Sequence, residues 1–152
     1  MDQERLTLLK AEIEAQVGEI EKIFTRIEER SKRKDITSLE SLAYQIHNLY
    51  CAFEDLFRIV ADHFENNFEE EKRYHRELLR RMAISIEGIR PAFLSKETYK
   101  LLDFLRAFRH FFRHAYTYEL DPKKMVIILE DSLKLKSLYS NDIVTFLKKL
   151  GA

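Results

Sequence analysis

The sequence predicts an all-α protein, an up-and-down bundle of about five helices in a single domain, residues 1–152. Turn material is scarce, with only 3 Gly and 2 Pro in a chain of which 34% is charged. That leaves few places for hairpins and favours long helices with short connections. Apolar residues step by three and four through nearly the whole chain. No internal repeat, low-complexity segment or linker divides it, and its length is that of one domain able to bury a core without staples.

The elements follow in order. Leu6, Leu9, Ile13, Val17, Ile20, Ile23, Phe24 and Ile27 give a first long amphipathic helix, which dissolves into the solvated charge run EERSKRKD. Thr37 and Glu40 have capping-box spacing and open a second helix. Its stripe runs through Leu39, Leu42, Ile46, Leu49, Phe53, Leu56, Phe57, Val60 and Phe64 to a break at ENNFEE. A third helix carries Tyr74, Leu78, Leu79, Met82 and Ile86 until Gly88 and Pro91 stop it. Ser95 caps a fourth. Asp121-Pro122 opens a fifth, with Met125, Ile128, Leu129 and Leu133 inward. SLYSND interrupts that helix before a last short piece ending at Gly151.

Composition bounds the setting. Cys51 is the single cysteine; it has no internal partner and reads as a buried small hydrophobe in a reducing compartment. The acidic start MDQERLTLLK shows no signal peptide, and no apolar run approaches the ~20 residues of a membrane span. A cytoplasmic protein without a membrane partner is expected. The formal net charge is +0, so any affinity for nucleic acid must come from a local patch.

The stretch FRHFFRHAYTY, residues 108–118, holds that patch. At about 100° per residue, Leu101, Phe104, Leu105, Phe108, Phe111 and Phe112 gather on one side of the fourth helix as core. Arg109, Arg113, Arg106, His110 and His114 occupy an arc of roughly 140° on the other. No acidic residue lies between Asp103 and Glu119, whereas a solvated face ordinarily mixes signs. Arg109 stands at the edge of the core, where packing would fix it. Imidazoles titrate near ~6.5 and guanidiniums bind phosphate with two hydrogen bonds. Together they suffice for cutting RNA: a base for the 2′-hydroxyl and a cation for the charge that builds on the phosphate, with no cofactor and no metal required.

Arg109, four residues, His114, one residue and Tyr116 match the Arg-x4-His-x-Tyr motif of HEPN-domain ribonucleases. FRHFFRHAYTYELD resembles the HepT-like toxin branch more narrowly, with His110 as the polar residue after the motif arginine. HNLYCAFEDLFRIVADHFE, YHRELLRRM and IRPAFLSKET extend the likeness over roughly residues 40–125. The resemblance implies a homodimer around the motif helices, metal-independent cleavage of RNA with tRNA among the targets, and a neighbouring MNT-type nucleotidyltransferase antitoxin. It makes Arg109 and His114 catalytic and Tyr116 the acceptor of adenylyl groups. His110, Arg113, Arg106 and Glu54 would support the site.

Other readings stand beside these. Arg109 closes an ion pair to a carboxylate such as Glu54, with or without a catalytic role. His110 and His114, four apart, have the spacing of two metal ligands, but no histidine has an acidic residue three positions before it, which disfavours a di-iron bundle. Tyr116 and Tyr118 sit where amphipathic rings commonly do. His47, His63 and His75 read as helix-face residues, and RELLRR as solvated surface. A binding module that holds nucleotide, RNA or a nucleotidyltransferase without cleaving is the alternative function.

Overall fold

A computed structural model of the protein describes residues 1–65, 74–114 and 119–152. Within them run α1 (Gln3–Arg30), α2 (Ile36–Phe64), α3 (Tyr74–Met82), α4 (Lys96–His114) and α5 (Pro122–Lys149), with no strand among the described residues. The chain is the all-α helical bundle its periodicity predicts.

Local chemistry sets the helix starts. Asp2 accepts from Arg5 N at 2.9 Å to cap α1, and Ser95 Oγ accepts from Thr98 N at 3.3 Å to cap α4. Asp121 accepts from Lys123 N at 3.0 Å, with Pro122 in the first turn of α5. The cap of α2 is Asp35, not Thr37; its carboxylate takes both Ser38 N (3.2 Å) and Ser38 Oγ (2.8 Å). A carboxylate outcompetes a threonine hydroxyl for these donors because the N-terminal end of a helix is partially positive.

α1 and α2 pack antiparallel along their lengths. Gln16 Nε2 donates to Ala52 O at 2.9 Å, and His63 Nε2 lies 2.9 Å from Glu12. α5 closes the core across both. Tyr139 meets Phe53 edge-on (5.1 Å, 88°) and gives its hydroxyl to Glu21, while Phe93 meets Phe146 edge-on (4.9 Å, 88°). Edge-on pairs of this kind contribute about 0.5–1.5 kcal/mol each beyond area burial.

Four expectations need correcting. SLYSND does not interrupt α5, because Tyr139 and Ile143 continue its buried face while Ser140 turns its hydroxyl back to Lys136 O at 3.2 Å. Leu133 points outward from that same face. Cys51 is half-buried rather than buried. α3 ends at Met82, not past Ile86, because the Met82 carbonyl is taken by Phe93 N (2.8 Å) and Leu94 N (2.9 Å). The chain then turns through Gly88, at φ 79, to an Ile86–Arg90 bridge.

That turn is locked by one buried cation. Arg90 Nε donates to Glu65, the C-cap of α2, at 2.6 Å; Nη1 reaches Ile84 O and Pro91 O, both at 3.1 Å, and Nη2 reaches Arg81 O at 2.9 Å. The guanidinium joins the ends of α2 and α3 to the approach to α4. Arg90→Ala leaves Glu65 nearly buried without this partner and is expected to cost about 3–5 kcal/mol in urea unfolding. Arg80→Ala, which breaks an exposed pair with Glu77, should leave the midpoint where it is.

Candidate functional site

Four residues of α2, His47, Tyr50, Cys51 and Glu54, lie at helical spacings of 0, 3, 4 and 7 and so share one stripe. The stripe faces the arginines of α4. Glu54 is 3% exposed and is the centre of the arrangement. Its Oε1 lies 3.8 Å from Arg109 Nε, and its Oε2 is in contact with Nδ1 of His75, from α3. Three helices thus meet on one carboxylate.

The Arg109 pair is ionic rather than a hydrogen bond, since 3.8 Å exceeds hydrogen-bond reach. Among the described residues Arg109 Nε is buried with no hydrogen-bond partner. The side chain is held by charge and packing while its tip keeps a route outward, at 14% exposure. The buried arc of α4 centres near Leu105, rolled by about 60° from the centre the helical wheel suggests. The roll draws Arg109 in and turns Phe104 (61% exposed) and Phe111 (48%) out, so these two rings are not core.

The other basic residues divide. Arg106 is held by Asp103 at 2.9 Å, so the arc is less uniformly positive than its composition suggests. Arg113, His110 and His114 are exposed, and the two imidazoles lie 4.8 Å apart, tilted by 58°. Tyr116 and Tyr118 fall outside the described residues.

Three groups went unassigned in the sequence: His47, Tyr50 and His75. His47 packs against Phe112 at 5.4 Å, with Nε2 3.9 Å from Cys51 Sγ. Burial, then the charges of Arg109 and Arg113, push its pKa below the ordinary histidine value. Burial, reinforced by the Glu54 charge, holds the Tyr50 hydroxyl protonated far above the usual phenol range. A signal for both was present in the polar residues set into an apolar face of α2. His75 carried no such signal.

The site is therefore an arginine anchored to a buried carboxylate, with histidines on three helices around it, in an all-α bundle. Residues 41–150 match the family model described as HepT-like protein, and the chain belongs to that family. This places it among HEPN-type toxin domains, a ribonuclease-associated class. The match takes in every site residue above and leaves out α1. No curated protein and no solved structure matches the chain. No helix among the described residues is long and apolar enough to cross a membrane.

His47 yields a pH test. The unfolded chain holds this proton at the ordinary value of 6.5, the folded chain only at lower pH. Below 6.5 the unfolded state then binds more protons, so stability falls as pH falls. Urea midpoints at pH 7.5 and 5.5 are expected to differ less in His47→Gln than in the parent; an equal difference would remove His47 as a contributor.

Proposed function

We propose that the protein is a metal-independent endoribonuclease toxin of a HEPN/MNT toxin–antitoxin pair, acting on RNA, with tRNA the expected substrate. The observation that carries this is the state of Arg109. It is anchored to Glu54 with its tip toward solvent, and His110 and His114 stand exposed further along the same helix. The Arg-x4-His-x-Tyr spacing and membership of the HepT-like family support the same reading.

In this reading Arg109 binds the scissile phosphate and stabilises the charge that grows on its oxygens, with Arg113 as a second cation. His114 moves a proton as general acid or base while the ribose 2′-hydroxyl attacks phosphorus. His110 and Arg106 flank the path, Arg106 with its charge largely offset by Asp103. Tyr116 is the proposed acceptor of adenylyl groups from an MNT-type nucleotidyltransferase, whose added phosphate would compete for Arg109 and Arg113. A homodimer in the cytoplasm is the proposed working form. Its support is an apolar groove between α4 and α5, where Phe104 and Phe111 stand exposed beside Ile127 and Ile128.

The test is an incubation of purified protein with tRNA and excess EDTA. Cleavage is expected to persist, leaving 2′,3′-cyclic phosphate and 5′-hydroxyl ends, and to fall about 10²-fold or more in Arg109→Ala and His114→Ala. With the nucleotidyltransferase and ATP added, the parent should fall silent and Tyr116→Phe should go on cutting. Loss of cutting in EDTA, or a full rate in His114→Ala, would contradict the mechanism. RNA binding with no cut at all would instead give the non-cleaving binding module.

A further inference from the structure

Cleavage through the 2′-hydroxyl needs two proton transfers, one from the attacking oxygen and one to the leaving oxygen. On an ideal helix His114 stands about 140° around the axis from Arg109 and about 7.5 Å along it. It is not the imidazole that shares Arg109's carboxylate. That imidazole is His75, at the first turn of α3, whose Nδ1 contacts Oε2 of Glu54 while Arg109 lies on Oε1.

We propose that His75 is a second proton-handling residue of the Arg109 site, positioned by Glu54; this rests on the ribonuclease reading above. Glu54 is on α2 and 3% exposed, so it is fixed in place. A carboxylate that accepts from Nδ1–H sets the tautomer and leaves Nε2 with the lone pair, as in a carboxylate–histidine–nucleophile arrangement. The His75 side chain is 39% exposed, and with Nδ1 turned to Glu54 the open edge of the ring is the one that carries Nε2. The groups bearing on it are Glu54 from α2 and Arg109 from α4.

The step balances without a co-reactant. Neutral His75 takes the 2′-hydroxyl proton on Nε2 and becomes an imidazolium facing Glu54. The 2′-oxygen bonds to phosphorus, and the bond from phosphorus to the 5′-oxygen breaks with its electron pair staying on that oxygen. His114, entering protonated, gives the 5′-oxygen its proton. The products are a 2′,3′-cyclic phosphate and a 5′-hydroxyl, with the two imidazoles' protonation states exchanged. Arg109 lies between, against the phosphate. Glu54 does not touch RNA; it aligns both the base and the cation.

His75→Gln tests this, because the amide retains a donor toward Glu54 and so favours the native fold. The full-length protein and this variant are given total tRNA in EDTA at saturating RNA across pH 5.5–8.5. Binding of 2′-O-methyl RNA, which cannot be cut, and thermal melting are followed in parallel. The variant is expected to lose about 10²-fold in rate and one limb of the pH–rate profile, with binding and melting kept. A full rate with both limbs overturns the role of His75 alone. A rate loss matched by lost binding or melting shows a structural role and overturns it as well. Absence of cutting by the parent overturns the ribonuclease reading itself, and the assignment of His75 with it.

Discussion

A carboxylate taken out of water is costly by several kcal/mol unless cations and donors replace its hydration. Glu54, nearly inaccessible on α2, meets that demand with a guanidinium from α4 and an imidazole from α3. The requirement fixes more than a salt bridge. It sets how α4 is rolled on α2, since Arg109 must turn inward to reach the carboxylate. The roll in turn places Leu105 at the centre of the buried arc and leaves Phe104 and Phe111 on the surface. It also brings Arg109 and Arg113 close enough to His47 to depress its proton affinity. The geometry of the site and the exposure of an apolar strip therefore share one electrostatic origin.

A second buried ion pair supports the first at a distance. Arg90 and Glu65 tie the C-terminal end of α2 to the turn after α3, satisfying four carbonyl and carboxylate partners at once. α3 is only nine residues long and would be marginal alone. Its place in the bundle rests on Leu78, Leu79 and Met82 below and on this guanidinium at its end. Holding α3 is what holds His75 against Glu54. The fold-level pair and the site-level pair are thus coupled through one short helix.

The five helices were legible because each carries a long apolar stripe, and periodicity reports an element's own face reliably. The pairing of Arg109 with Glu54 was legible too, as a basic residue at the edge of one apolar arc and an acidic residue inside another. The roll of α4 was not, because a helical wheel finds the apolar centre of a helix and not the charge its neighbour presents. The unbroken course of α5 through SLYSND was missed for a related reason. Serine and asparagine weaken a helix locally, but Tyr139 packed on Phe24 and Phe53 outweighs them. His47 and His75 escaped because their meaning lies in which helix they face, and spacing within one helix does not carry that. Tyr116 lies outside the described residues, so its part rests on the motif and on the family.

The central claim is that Glu54 and Arg109 act on each other and not merely side by side. A double-mutant cycle of Glu54→Gln and Arg109→Gln, read by urea unfolding at neutral pH, measures that directly. The account predicts that the pair of changes costs less than the sum of the single ones, with a coupling on the order of 1 kcal/mol. Single effects that add to within about 0.3 kcal/mol would contradict it.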